Sequence, residues 1–384
     1  MNDILSNDDY KILESNFIIP IVYNYKKSFM VKNIEKTNLS INPQEIYINN
    51  NKTKYSIFGK FLKDTKSFWH SNDSSDKLII SINKLNYAFN YRYQLLIKNR
   101  ILNISIHMSC NINDKEQCEN ILDKSVKRIN TMFAIYIDNL YYNNIEKNDY
   151  TFIFLYNDID RSLITNETDY KKKVKDLYFN HSFYTTAGWN MFSMTSSTSV
   201  HNYMVVTRKS GFLGLLVHEL CHCCNLDGIV KGYEIKEYHT LFNRIINKNI
   251  NSGLFIEGLN NALSSIIHSI FISVESNMII SFRESLSNEI VHSYKQVYKL
   301  LRFFDCRTIN ELIKKQNYFN VNDSVFEYVI LRGIYFKYLN HLLHYPYKEG
   351  INSYYKKFLK CFNNSLNILW DKDDTKTMNY YYYN

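Results

Sequence analysis

Two histidines and a glutamate near the middle of the sequence have the types and spacing of a metal site. Residues 217–222 read Val-His-Glu-Leu-Cys-His and match the pattern H-E-x-x-H. A helix brings imidazoles four positions apart onto one face, so His218 and His222 can bind the same zinc ion. Glu219 lies beside them and can accept a proton from a metal-bound water. The apolar run 212–217 predicts a buried helix; the alternative is a histidine pair hydrogen-bonded in the core.

A hydrolytic zinc site normally takes three protein ligands and leaves its fourth position to water. Glu257 is the main candidate for the third ligand, because it lies in a second apolar segment with helical spacing, residues 254–263. A plain surface carboxylate is the alternative interpretation. Asn261 follows Glu257 by one turn and could orient His218 through the free nitrogen of its ring. Gly258 lowers helix propensity, which is tolerable where two helix backbones approach closely.

Other side chains must be weighed as metal ligands. Asp227 follows His222 by five positions, but it misses both the glycine and the third-histidine positions of the metzincin pattern, where Asn225 and Gly228 stand. A short loop could also return three further donors to the metal: Glu234, Glu237 and His239. The nearby cysteines are expected to be small buried residues and not ligands: Cys221, Cys223 and Cys224.

The two motifs together resemble the gluzincin pattern of zinc metallopeptidases, of the M1-like and MA-like kind. In that pattern the glutamate ligand often stands in a Glu-Gly-hydrophobic context, as it does at residues 257–259. The resemblance covers roughly residues 116–345 and is close only at the two motifs. The gap of 34 residues between His222 and Glu257 is similar to the ligand spacing of clostridial neurotoxin light chains.

The resemblance implies a zincin-like, thermolysin-like catalytic domain that binds one Zn²⁺ through His218, His222 and Glu257. It also implies that Glu219 is the general base of peptide-bond hydrolysis. Residues 188–191 and 202–206 resemble the strands that precede the active helix in zincins, one of which binds the substrate backbone.

The resemblance further implies a tyrosine that stabilises the oxyanion. The matching helix of gluzincins carries Tyr-x-x-Gly, and Tyr328 is the counterpart here, although four residues separate it from Gly333. His292, Tyr294 and His268 are the alternative donors to the oxyanion.

A peptide or protein is the expected substrate. Endopeptidase action is favoured, because the sequence lacks a Gly-Ala-Met-Glu-Asn segment for binding a free amine. The competing interpretation is a binding or structural protein that keeps the zincin scaffold and its zinc without catalysis, for instance a component of a virus particle.

The sequence predicts an α+β fold in three parts. An N-terminal antiparallel β domain is expected over residues 1–115, a zincin-like catalytic domain over 116–309 and a C-terminal helical region over 310–384. The first part rests on β-rich runs at residues 18–23, 78–82 and 101–106. The second part rests on helical spacing from Glu116 to about residue 142 and on strands within 150–155 and 188–207. The third part rests on helical spacing at 325–343 and 353–369.

Composition narrows the class of protein further. Hydrophobic residues make up 45% of the 384 residues, which is too much for a disordered chain. The net charge of +9 is scattered and forms no basic stripe, so no specific nucleic acid is expected as a partner. The abundance of Asn, Lys, Ile and Tyr indicates an AT-rich genome, viral or parasitic.

The expected location is the cytoplasm or another reducing compartment, in a host cell or virion. Seven cysteines is an odd number, and three of them crowd one predicted helix. The first ten residues lack a basic segment followed by an apolar stretch, so no signal peptide is expected. The apolar window 264–282 is interrupted by His268, Glu275 and Asn277, which predicts a buried helix and not a membrane span.

Overall fold

The structure is a computed structural model that describes residues 7–40, 85–139, 149–157, 188–192, 202–207, 209, 211–226, 240, 244, 254–303, 305–314, 326–339, 343 and 350–370. These residues form a mixed α+β protein, which confirms the fold class at this level. The chain divides into two compact units. One, here called the helical unit, comprises Met1–Lys27, Ile135–Tyr141 and Leu220–Tyr382; the other, the sheet unit, comprises Ser28–Ala134, Tyr142–Glu219 and Tyr383–Asn384. The three-domain division stays a prediction.

The sheet unit contains a six-stranded mixed sheet of order β1-β2-β3-β4-β6-β5. Its strands are β1 Met30–Ser40, β2 Tyr87–Ile97, β3 Arg100–Cys110, β4 Asp149–Tyr156, β5 Gly188–Phe192 and β6 Asn202–Val206. The first three pair antiparallel, and the strand predicted at residues 101–106 lies within β3. Strand β3 also pairs parallel with β4, and β4 with β6, while β5 pairs antiparallel with β6. The N-terminal strands therefore belong to the same sheet as the later ones.

Helix α3, Lys115–Tyr136, connects the parallel strands β3 and β4, since parallel neighbours need a crossover connection. It confirms the predicted amphipathic helix and ends earlier than expected. Its buried Phe133 packs against the strand that follows, with ring centroids 4.8 Å from Tyr150 and 6.2 Å from Phe152. Aromatic packing between helix and sheet thus contributes to the core of this unit.

The helical unit begins with a helical segment where the sequence predicted a strand. Helix α1 is Asn7–Leu13, a π-helical stretch covers Glu14–Ile18, and helix α2 is Ile19–Lys26. The strand predicted at residues 18–23 is therefore wrong. Leu13, Phe17 and Ile21 are buried and recur every four residues, which places them on one helix face. Pro20 stands at the start of α2, which directly follows the π-helical stretch.

Six further helical segments of this unit lie among the described residues from 254 onward. They are α5 Leu254–Glu275, α6 Phe282–Phe303, α7 Ile309–Lys314, a π-helical segment Phe326–Leu331, α8 Arg332–Lys337 and α9 Gly350–Ser365. The helix predicted at 254–263 is confirmed and continues to Glu275, and helical structure is confirmed in both C-terminal regions. The strand predicted at 78–82 lies outside the described residues. Within the described part of the chain, no helix combines the length and hydropathy of a membrane span.

Candidate metal centre

Helix α4, Phe212–Cys223, carries the H-E-x-x-H residues and is buried on nearly all sides. His218 and His222 are each 7% exposed, and Glu219 is 3% exposed. The division between the two units falls between Glu219 and Leu220, within this continuous helix. The remaining buried residues of the helix are apolar or cysteine: Phe212, Leu216, Val217, Leu220, Cys221 and Cys223. Three polar side chains are thus buried in a helix whose other buried residues are apolar or cysteine.

The first turn of α4 is fixed by contacts within the sheet unit. The guanidinium of Arg128, a buried residue of α3, donates a hydrogen bond from Nη1 to the carbonyl oxygen of Leu213 at 3.0 Å. The ring of Phe212 packs edge-on against Phe154, with centroids 5.0 Å apart. The hydrogen bond from Arg128 and the ring contact with Phe154 therefore fix the start of the helix.

The last turn of α4 ends in a Schellman motif. The N–H of Leu226 donates to the carbonyl of Cys221 at 2.9 Å, and the N–H of Asn225 donates to the carbonyl of His222 at 2.8 Å. Asn225 has a φ of 52°, in the left-handed region that asparagine tolerates better than most residues. The helix therefore stops shortly after His222, and the carbonyl of that residue is satisfied.

Glu257, in the first turn of α5, lies next to the second histidine. Its Oε1 is 3.2 Å from Nε2 of His222, and its side chain is 26% exposed. Each of His218, His222 and Glu257 offers one ligand atom, and these atoms lie within 4.8 Å of one another. The three residues could hold a metal ion, as the sequence predicted.

The donor set fits zinc chemically. Two imidazoles and one carboxylate are nitrogen and oxygen donors that zinc accepts in hydrolytic sites, with a fourth position left for water. Donors about 2.0–2.1 Å from a tetrahedral zinc ion lie roughly 3.3 Å apart. The separation of 3.2 Å between His222 and Glu257 is close to that edge, while the three ligand atoms together lie within 4.8 Å of one another.

The other candidate ligands have different outcomes. Cys221, Cys223 and Cys224 are buried, as expected for small core residues, and none of the seven cysteines forms a disulfide. The alternative donors Asp227, Glu234, Glu237 and His239 lie outside the described residues.

Asn261 lies one turn after Glu257 on the same face of α5. Its Nδ2 atom is buried and has no hydrogen-bond partner among the described residues. The side-chain amide of Asn261 therefore has a donor available for a hydrogen bond. It lies close to Glu257 in the sequence and on the same face of the helix. Its predicted contact with His218 stays a prediction.

The four residues considered for oxyanion stabilisation lie on three helical segments. Tyr328 belongs to the π-helical segment, and its side chain lies outside the described residues. Tyr294 packs edge-on against Trp370 with ring centroids 5.7 Å apart. His268 is buried in α5, and His292 lies in α6.

The structure also reveals a charged cluster that the sequence analysis missed. The guanidinium of Arg332 donates from Nη2 to Oε2 of Glu289, and both side chains are largely buried. Burial and the charge of Arg332 lower the pKa of the neighbouring His292 to about 4, although Glu289 opposes this shift. Glu289 and His292 lie three positions apart on α6, a spacing that would have indicated one shared polar face.

Comparison with known proteins gives no match to a protein-family model, to a curated protein or to a solved structure.

Proposed function

We propose that this protein is a zinc-dependent metallopeptidase of the gluzincin type. The observation that carries the proposal is the convergence of His218, His222 and Glu257, with ligand atoms within 4.8 Å, beside the buried carboxyl group of Glu219. A purely structural zinc site would have no need of a base next to its ligands. The proposal includes a zincin-like fold for the region around α4 and α5.

Zinc bound at this site would supply a water of lowered pKa and polarise the scissile carbonyl. Glu219 accepts the proton of the attacking water and delivers it to the leaving amine. Because Glu219 is 3% exposed, bulk water cannot easily compete with the bound water for this carboxylate. Tyr328 is the proposed donor to the oxyanion, a role in which a positioned hydroxyl lowers the barrier.

The proposed substrate is a peptide or protein that is cleaved internally. The helix pair that carries the metal ligands, combined with a general base, suits amide hydrolysis better than redox chemistry, since zinc has no accessible second oxidation state. Neither a nucleic acid nor a membrane is part of the proposal.

The test combines metal analysis with proteolysis. The parent protein, Glu219→Gln and Glu257→Ala are purified, their zinc content is determined, and each is incubated with a mixed peptide library. We expect about one zinc per chain in the parent and in Glu219→Gln, loss of zinc in Glu257→Ala, and cleavage by the parent only. Full zinc occupancy without cleavage would favour a non-catalytic scaffold; absence of zinc after reconstitution would refute the metal site itself.

A further inference from the structure

Gly258 follows Glu257 directly and is packed against the end of the π-helical segment. A Cβ atom at Gly258 would lie 2.6 Å from Cβ of Leu331, 3.2 Å from Cδ1 of the same residue and 3.3 Å from Cε2 of Tyr335. Non-bonded carbon atoms normally pack at about 3.5–4.0 Å. The two helical segments therefore cross so closely at this point that only glycine fits.

Neither neighbour of Gly258 can move aside by rotating its side chain. The Cβ atom of Leu331 is bonded to the backbone, so a rotamer change leaves it in place. Tyr335 is buried and its ring stacks on Phe358, with centroids 4.1 Å apart and an interplanar angle of 17°. A larger residue at position 258 would therefore push the backbones of α5 and the π-helical segment apart.

We propose that Gly258 is a positioning residue for the metal site: its close crossing with Leu331 holds Glu257 at the distance from His222 that a shared metal ion requires. This inference rests on the proposed metal function. Metal–ligand distances tolerate only about ±0.2 Å. A backbone displacement that relieves a 2.6 Å contact is larger than that tolerance, and it occurs one residue from the ligand.

Helix propensity and the close contact with Leu331 predict opposite effects of Gly258→Ala. Replacing glycine by alanine inside a helix normally stabilises the helix, because glycine has the lower helix propensity. If the crossing with Leu331 were unimportant, Gly258→Ala would be neutral or favourable. A loss of metal affinity in Gly258→Ala would therefore be caused by the close contact with Leu331 and not by the helix propensity of alanine.

Gly333 provides a matched control in the same unit. A Cβ atom there would lie 2.5 Å from Cγ2 of Val297 and 3.6 Å from Cη2 of Trp370. This crossing joins α8 to α6, and neither helix carries a proposed metal ligand. Gly333→Ala therefore introduces a contact of similar distance, here against a methyl group that can move by rotation about χ1, and a similar gain in helix propensity away from Glu257.

The test measures metal binding, not activity. Zinc affinity is determined by competition with a chromophoric chelator, and the Co²⁺-substituted proteins are compared by their visible absorption spectra. We expect Gly258→Ala to bind zinc about 10–100-fold more weakly and to show an altered Co²⁺ spectrum, as when groups that orient ligands are removed. Gly333→Ala should retain the parent affinity and spectrum.

A complementary swap keeps the test decisive if Gly258→Ala alone does not fold. In Gly258→Ala/Leu331→Gly the Cβ atom is moved from one side of the crossing to the other, and metal affinity should recover towards that of the parent. Parent-like affinity in Gly258→Ala, equal losses in both glycine variants, or a folded swap that binds no better than Gly258→Ala would each overturn the inference. Lack of metal binding by the parent would instead refute the proposed function on which it rests.

Discussion

Nε2 of His222 and Oε1 of Glu257 lie 3.2 Å apart, although 34 residues separate them in the sequence. The first belongs to the last turn of a helix that ends in a Schellman motif, and the second to the first turn of α5. Two helix ends thus meet through their side chains. Together with His218, these side chains form a group of three that could hold a metal ion.

Zinc should stabilise the folded protein through these side chains. A ligand that binds only the native state at one hundred times its dissociation constant adds about 2.7 kcal/mol to the free energy of unfolding. We expect zinc to raise the melting temperature of the parent, and to leave that of Glu257→Ala and His222→Ala unchanged. Glu284→Ala, an exposed carboxylate of α6, is the control and should respond to zinc like the parent. An equal response of all variants would place the metal elsewhere.

Asn261 should influence metal affinity more than stability. Its buried Nδ2 lacks a hydrogen-bond partner among the described residues, so Asn261→Leu should cost the metal-free protein little. If the amide orients a ligand in the loaded site, the same change should weaken zinc binding about 10–100-fold. Ser264→Ala removes a neighbouring hydroxyl on the same helix and should leave zinc binding unchanged. Calorimetric titration of both variants distinguishes these outcomes, and unchanged affinity in Asn261→Leu would exclude the orienting role.

The ion pair between Arg332 and Glu289 should matter greatly for stability. Removing one partner leaves a buried charge without compensation, which typically costs about 3–5 kcal/mol. We expect this loss for Arg332→Met in urea unfolding of the metal-free protein, and partial recovery in Arg332→Met/Glu289→Met. The exposed pair of Lys11 with Asp8 is the control, and Lys11→Met should have no measurable effect. A similarly small effect of both single changes would mean that Arg332 is hydrated.

His292 should make the metal-free protein less stable in acid. Its pKa is about 4 in the folded protein, below the ordinary value of 6.5, because burial and Arg332 disfavour the charged form. As the pH falls from about 6.5 towards 4, the unfolded chain binds a proton that the folded protein excludes, so the free energy of unfolding decreases. The contribution of His292 should be roughly 1–3 kcal/mol.

The variant His292→Asn tests this pH effect, because it removes the titrating imidazole. Another histidine, His107, also has its pKa lowered to about 4 by burial and by Arg92, so the variant should retain part of the acid sensitivity. Urea unfolding at pH 7 and pH 4.5 measures the difference between parent and variant. An identical pH dependence in the two proteins would contradict the role of His292.

The sequence predicted those features that depend on short-range spacing. The two histidines of α4 and the carboxylate of α5 were identifiable because a helix fixes which positions share a face. The helix at residues 19–26 was misassigned, since its β-branched run favours a strand when tertiary packing is ignored. The pairing of Arg332 with Glu289 joins residues 43 positions apart and has no local signal. The sequence indicated a close approach of two helices at Gly258, but it did not indicate that Leu331 is the residue in contact.

The 34 residues between His222 and Glu257 couple metal binding to folding. In the unfolded chain both side chains could hold one ion only if the loop between them closed, which costs roughly 3–4 kcal/mol of chain entropy. In the folded protein this loop is already closed, so the native state would bind the ion much more tightly than the unfolded chain. A chelator would therefore lower the free energy of unfolding by an amount that depends on the free metal concentration.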